Sequence, residues 1–261
     1  MPLAVCATPI GNLDDVTLRV LAELRDADVV LAEDTRHTRG LLERHGIRAR
    51  LLSYHEHNEA ARVAELLPRL AGERVALVSD AGMPAISDPG ARLVRAALEA
   101  GVPVTVLPGP SAVETALVAS GLASERYAFV GFLPRKRTEL DALWAEVDAW
   151  GVTVVAFESP ARVGASLASL PPDRIVAVCR ELTKRFEEVV VGSAGELARR
   201  FASTKGEITL VVSAGAGAPR DDAAAAAVAE LVAAGTPRRV AADVVARLTE
   251  TSRNALYRAT L

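Results

Sequence analysis

Residues 74–107, RVALVSDAGMPAISDPGARLVRAALEAGVPVTVL, set two short apolar runs on either side of a helical one. Residues 74–78 and 102–107 are rich in Val and Leu and have the length of strands buried on both faces. The segment between them carries the end signals of a helix over 90–100. Asp88 suits an N-cap, Pro89 suits the first helical position, and Gly101 closes the far end. Strand, helix, strand in that order is the unit of a parallel sheet covered by helices. The link into the helix is the anomaly. About two to six residues suffice for such a connection, yet SDAGMPAISDPG (79–90) is longer and holds two Gly, two Pro and two Asp.

The same alternation extends in both directions. Residues 3–7 and 29–32 read as further buried strands, with helices over 16–25, 35–45 and 58–70. In the second half, strands are expected at 127–131, 152–157, 174–179, 188–191 and 207–213, and helices at 138–150, 162–170 and 194–202. The runs around Val176 and Val190 have no helix between them, which implies an antiparallel pair and a mixed sheet. AGAGAP (214–219) reads as a linker. Beyond it the chain is purely helical. A helix from Asp222 takes its apolar face from Val228, Leu231 and Val232, a second starts at Thr236-Pro237, and Ser252 caps a third. The fold class is α/β: a parallel-sheet domain over 1–119, a mixed-sheet domain over 120–214, and a linker with a helical tail over 215–261.

The 261 residues are 50% hydrophobic and 24% charged, with a formal net charge of −3. No global basic field advertises a nucleic acid, so RNA binding would rest on local patches. Cys6 and Cys179 lie in separate apolar runs and read as buried thiols, not as a disulfide or a metal site. No apolar run approaches the ~20 residues of a membrane span, and the first residues lack a signal-peptide pattern. A soluble, cytoplasmic protein without a membrane partner is expected.

In open α/β sheets, ligands bind beyond the carboxyl ends of the strands. Three loops leave strand ends there: residues 8–12 (TPIGN), 80–90 and 108–112 (PGPSA). None is a GxGxxG or P-loop motif, which argues against a dinucleotide enzyme and a nucleotide triphosphatase. Each alone is a stiff turn. Three on one edge, all bringing rigid backbone close to the same place, make a ligand site.

The blocks TPIGNLDDVTLRVL, VVLAEDTRHT, YHEHNE, LVSDAGMPAISDPG, LPGPSA, GFLPRK, FESPARV, RELTKRFEE and GEITLVV occur in this order. Together they resemble the ribosomal RNA small subunit methyltransferase I family, a branch of the tetrapyrrole methylase fold, over essentially the whole chain. The resemblance implies S-adenosylmethionine bound between two α/β domains. It also implies methyl transfer to the ribose 2′-oxygen of a decoding-centre cytidine of 16S rRNA in the 30S subunit, and a homodimer. It carries cofactor contacts onto Pro9, Asp80, Gly82, Met83, Ser111, Ala112, Leu182 and the Phe157-Glu158 strand end. The loop from Asp80 would wrap the cofactor, with Asp80 near its amine and Gly82 leaving room for close approach. Met83 stands where the family often has Thr, Ala161 where His is common, and Arg253 where Lys is expected.

Transfer from a sulfonium is an in-line displacement in which the cofactor carries the hard chemistry. The protein must align the hydroxyl and take its proton. Candidates are Glu33, Asp34 and His37 in AEDTRHT, and His55 or His57 in YHEHNE. Asp34 serves equally well as the first-turn acid of a helix. Glu33 directly extends a buried strand, where desolvation would raise its pKa toward that of a useful base. For RNA, the candidates are Arg36, Arg39, Arg135, Lys136, Arg137, Lys184 and Arg185, each alone equally a solvated surface charge. The 135–137 cluster follows a strand end, which suits phosphate contact. The tail carries Arg238, Arg239, Arg247, Arg253 and Arg258 against Asp243 and Glu250. Its helix–TETS–helix form resembles a helix-turn-helix that adds RNA affinity; alternatively, Leu256 and Tyr257 pack the tail onto the body. Two competing readings remain: a tetrapyrrole C-methylase, which is not expected to carry AEDTRHT, YHEHNE or the tail, and a non-catalytic RNA-binding module, which leaves the three loops unexplained.

Overall fold

A strand that is apolar at every position must be covered on both faces, and the first half of the chain is folded around that requirement. The computed structural model describes residues 2–215, 220–249 and 251–260. The first half runs β1 (Leu3–Cys6), α1 (Leu18–Asp26), β2 (Val29–Ala32), α2 (Thr35–Arg44), β3 (Leu51–Ser53), α3 (Glu59–Arg69), β4 (Val75–Leu77), α4 (Ala91–Glu99), β5 (Val104–Leu107) and α5 (Ala112–Ser120). The five strands form one parallel sheet in the order β3-β2-β4-β1-β5. Alternate residues supply opposite faces. Ala4, Cys6, Val30, Ala32 and Ala76 meet Val20, Leu24, Leu41 and Leu42 of α1 and α2 on one side. Leu3, Val5, Val29, Leu31, Val75 and Leu77 meet Leu66, Leu93 and Ala97 of α3 and α4 on the other.

The second half runs β6 (Tyr127–Phe132), α6 (Arg137–Trp150), β7 (Thr153–Glu158), α7 (Val163–Leu167), β8 (Ile175–Arg180), β9 (Glu188–Ser193), α8 (Ala194–Arg200) and β10 (Ile208–Val212). Its sheet has the order β6-β7-β10-β8-β9. β6 and β7 are parallel and the remaining pairs antiparallel, including the expected β8–β9 pair. Helices α6, α7 and α8 cover one face through Leu140, Trp144, Val163, Leu167 and Leu197. The other face is covered by α5, whose Val113, Ala116 and Leu117 pack on Val155, Ala177, Cys179 and Val211. The last helix of the first half thus roofs the second sheet and joins the two.

The tail folds around a core of its own. α9 (Arg220–Ala233), α10 (Arg238–Thr249) and α11 (Arg253–Ala259) share Ala224, Val228, Ala241, Ala242, Val245 and Leu256. Leu256 therefore packs inside the tail and not on the body, while Tyr257 is exposed. Leu231, expected on the apolar face, is 37% exposed, because Val228 and the half-buried Val232 fill that face. Most of the expected linker (216–219), together with Met1 and Glu250, lies outside the described residues. No helix among the described residues is long and apolar enough to cross a membrane.

Three other expectations needed correction. β5 is an edge strand with Val106 54% exposed, so its apolarity does not come from burial on both faces. β3 and α5 were not anticipated, β3 because three half-buried residues give no periodic signal. Asp88 is not the cap of α4. The helix begins at Ala91, with Gly90 in the cap position at φ +136°, and the Gly90 N–H donates to Glu59 Oε1 at 3.0 Å. A Cβ on Gly90 would sit 2.8 Å from Leu77 Cδ2. Gly90→Ala is accordingly expected to cost about 1–3 kcal/mol, read as a lower urea midpoint. Gly40→Ala, in helical backbone with open space around it, should gain about 0.5–1 kcal/mol instead.

Candidate active site

The long loop after β4 folds back onto the exit of β1. Thr8 N–H donates to Gly82 O (2.8 Å), Gly82 N–H donates to Thr8 O (3.1 Å), and Thr8 Oγ1 donates to Ser79 O (3.0 Å). Asp80 Oδ1 accepts the Asp34 N–H at 2.9 Å, tying in the end of β2. The loop then takes left-handed backbone at Gly82 (φ +79°), Ala85 (φ +70°) and Ser87 (φ +62°). Such turns are costly for residues with a Cβ. A Cβ on Gly82 would lie 3.7 Å from Ile10 and 3.9 Å from Pro110 O, ordinary contacts, so backbone conformation is what requires glycine there.

Between this loop and the second sheet lies a cleft of about 430 Å³, a size suited to a small-molecule ligand. The expected positions Glu33, Asp80, Gly82, Met83, Ser111, Ala112, Glu158 and Leu182 all line it. Pro9 does not; it lines a much smaller neighbouring pocket with His37 and Asp80. Nor do Asp34 and His55 line the cleft. Asp34 caps α2, accepting the Arg36 N–H at 2.8 Å and pairing with its guanidinium at 2.7 Å, which holds the carboxyl far below the usual range. His55 Nε2 sits 3.2 Å from Asn58 Nδ2, and its Nδ1 is buried without a partner. His37 and His57 are exposed.

Sequence reasoning missed Ile86, Ser87, Asp88, Phe132 and residues 206–209, all of which line the cleft. Asp88 was hidden by its resemblance to a cap. With Glu59 serving the helix start, the Asp88 carboxyl faces the cleft, with Ser79 as its hydrogen-bond partner. Burial, and then the charge of Glu33, push it up to about 7. Burial and the Asp80 charge likewise raise Glu33.

Glu158 is a strut more than an open contact. It is buried, accepts from Ser159 N–H (2.6 Å) and Ser166 Oγ (2.5 Å), and pairs with Arg162 at 2.5 Å. On the far side, loop 8–12 interlocks with the residues around Leu182. Asn12 N–H donates to Thr183 Oγ1 at 3.0 Å, and a Cβ on Gly11 would fall 2.5 Å from Lys184 Cγ. Cys6 and Cys179 are buried and free, their thiols pushed up to about 12 chiefly by burial.

The candidate RNA residues fall into separate places. Arg135, Lys136 and Arg137 are exposed beside the cleft strand β6, the last two in local pairs with Glu139 and Asp141. Arg39 is exposed, and Arg185 is exposed beside the Phe186 ring. Arg36 is 86% exposed despite its Asp34 pair. Lys184 is held between Glu181 (3.1 Å) and Glu207 (2.9 Å), so its charge is largely spent internally. Arg253 lies on the tail, 3.7 Å from Asp243.

Residues 2–198 match the family described as Tetrapyrrole (Corrin/Porphyrin) Methylases. A "Ribosomal RNA small subunit methyltransferase I" of Mesorhizobium japonicum is 44% identical over 98% of this chain and 90% of its own. Proteins of that name from Mycobacterium bovis (48%; 94% and 88%) and Escherichia coli O157:H7 (43%; 98% and 93%) are also similar. Among solved structures, a diphthine synthase superposes with TM-score 0.65 at 17% identity, over 81% of this chain and 89% of that one. A Thermus thermophilus uroporphyrin-III C-methyltransferase complexed with S-adenyl homocysteine gives 0.57 at 19%, over 81% and 96%. Two sheets closing on a cleft beyond the strand ends, with this likeness, define a methyltransferase of the tetrapyrrole methylase fold. The chain belongs to the tetrapyrrole methylase family and, within it, to the ribosomal RNA small subunit methyltransferase I group.

Asp88 gives a stability test. Its folded-state pKa is raised, so the folded protein holds the proton more tightly than the unfolded chain. Stability therefore falls as pH climbs from the ordinary carboxylate range to about 7, then levels. Asp88→Asn is expected to raise Tm at pH 8 by a few degrees and to leave it unchanged at pH 4, measured by circular dichroism.

Proposed function

We propose that the cleft binds S-adenosylmethionine and directs methylation to the ribose 2′-oxygen of a decoding-centre cytidine in 16S rRNA of the 30S subunit. The observation that carries this reading is the pairing of an acid-ended cleft, built from the three strand-end loops, with the exposed cations at 135–137 beside it. Relatives 43–48% identical over nearly the full chain bear names for that class of RNA.

The residues present fit the cofactor. Ile10, Met83, Phe157 and Leu182 offer apolar wall. Asp80, with one oxygen engaged by the Asp34 N–H, keeps its other oxygen for an ammonium. The start of α5 at Ser111–Val113 lines the cleft, where helix N–H groups lack partners within the helix. When bound, S-adenosylmethionine supplies an activated methyl group on a sulfonium. The protein's own part is to hold the ribose hydroxyl in line and to take its proton. Glu33 is the base in this reading. It faces the cleft from the end of β2, and desolvation raises its proton affinity. The Asp80 charge adds to that rise, and the Glu33 charge in turn raises Asp88. Asp34, occupied as a cap, and His55, outside the cleft lining, are weaker candidates for this role.

Under this reading the units are 1–119, 120–214 and 215–261, with α5 joining the first two over the cleft. The enzyme works in the cytoplasm as a homodimer, for which exposed Val106 and Val118 offer apolar surface. Arg36, Arg135, Lys136 and Arg185 contact phosphates, with Arg253 and the tail adding affinity and Lys184 contributing little.

The deciding experiment is labelled-methyl transfer onto 30S subunits, free 16S rRNA and a porphyrinoid in parallel. Transfer to the porphyrinoid alone would favour the tetrapyrrole C-methylase reading. For the base, Glu33→Gln should lower single-turnover rates roughly 100-fold or more while both ligands still bind. The wild-type kcat/KM should rise with pH as Glu33 loses its proton, at a pH above the ordinary carboxylate range. Near-normal turnover of a less stable Glu33→Gln would instead make Glu33 structural. For the RNA surface, Arg135→Ala with Lys136→Ala should weaken 30S binding, spare cofactor binding and flatten the salt dependence of affinity by about one to two phosphate contacts.

A further inference from the structure

Phe132 is 61% exposed and lines the cleft, an unusual position for a large apolar ring. Its direction is built into β6. Phe129 pairs with Val155 and Phe132 with Phe157, so β6 carries one residue more than β7 across this interval. Gly131, at φ +69°, sits in the irregularity. Side chains three apart on a regular strand point to opposite faces. The bulge cancels that alternation and re-aims the ring, as bulges beside active sites do. Both Phe129 (4.9 Å) and Phe132 (5.4 Å) then stand edge-on to the Phe157 ring.

The residues just after the ring are fixed. Leu133 is buried and its N–H donates to Phe157 O at 3.0 Å. The Arg162 guanidinium donates to Leu133 O (3.1 Å) and Pro134 O (3.2 Å), and is itself held by buried Glu158. This rigid end leads straight into Arg135 and Lys136. Across the cleft, a Cβ on Gly131 would lie 3.4 Å from Ser87 Oγ, so the 80–90 loop faces the same strand.

A ribose hydroxyl cannot reach a recessed methyl donor while its base stays stacked in the RNA; the nucleotide must be turned out. An exposed aromatic beside phosphate-binding cations is the usual receiver of an unstacked base. We propose that Phe132 is the stacking platform for the nucleobase of the methylated nucleotide, one face of its ring against the base while Arg135 and Lys136 hold adjoining phosphates. This rests on the RNA methylation reading above.

The test compares wild type, Phe132→Leu and Phe132→Tyr in steady-state methyl transfer to 30S subunits. It adds calorimetric affinity for S-adenosylmethionine, Tm and mass by light scattering. A second arm measures binding of a target-site RNA with either the natural base or an abasic ribose at the target. Phe132→Leu should raise KM for 30S roughly 10- to 100-fold, the value of one stacked base. Cofactor affinity, Tm and mass should stay at wild-type values, and Tyr should restore most of the KM. The abasic RNA should bind wild type and Phe132→Leu equally. An unchanged KM, failure of Tyr to rescue, a parallel loss of cofactor affinity or a change of mass would each overturn the inference; the last two would assign the ring to the cofactor or to a second copy. Absence of wild-type transfer to 30S would overturn the underlying reading and this inference with it.

Discussion

Two backbone hydrogen bonds between Thr8 and Gly82 hold the exit of the first strand against the loop that follows the fourth. Because β1 and β4 are neighbours in the sheet, their ends already lie side by side. The pair of bonds turns that adjacency into a closed rim, and Asp80 extends it to β2 through the Asp34 N–H. Without it, a long connection containing two Pro and several left-handed residues would have no reason to adopt one path. With it, Glu33, Asp80 and Asp88 are held together along one cleft, where the Asp80 charge adds to burial in raising Glu33 and the Glu33 charge does the same for Asp88.

The opposite wall is secured by different means. α5 roofs the second sheet with small and branched side chains. Loop 8–12 and the Leu182 loop fit so closely that Gly11 has no room for a side chain. The pair of buried Glu158 with partly exposed Arg162 then fixes the end of β6. Such a pair is weak evidence for net stability, because desolvation of the buried carboxylate offsets the attraction. Its consequence here is positional. The guanidinium holds two carbonyls at the point where the chain passes from Phe132 to the exposed cations, so the apolar and the basic parts of the cleft mouth keep one relation to each other.

Within the acid cluster the division of labour follows from which oxygens are already engaged. Asp80 gives one oxygen to a backbone N–H, and Asp34 is spent on its own helix and on Arg36. Glu33 and Asp88 are raised chiefly by burial. A carboxyl raised above its ordinary range is a better proton acceptor, whereas one held far down by a guanidinium is not.

The sequence by itself determined the βα alternation, the mixed second sheet and the positions of most strands and helices, because continuous apolar runs and 3.6-residue periodicity are local signals. It also determined which loops line the cleft: Gly and Pro at the ends of strands have few other uses. Asp88 was misread for the same reason, since an Asp-Pro-Gly before a helix is locally a cap, and only Glu59, reaching from α3, relieves it of that role. Tertiary structure alone decided that β5 is an edge, that α5 serves the second sheet, that Leu256 belongs to a separate helical core, and that the segment at 206–209 reaches a cleft begun at Ile10. It decided the direction of Phe132 as well, because one extra residue in β6 inverts the face that strand alternation assigns. These are facts about which surfaces meet. Local pattern encodes which residues must be buried, but it does not encode against what.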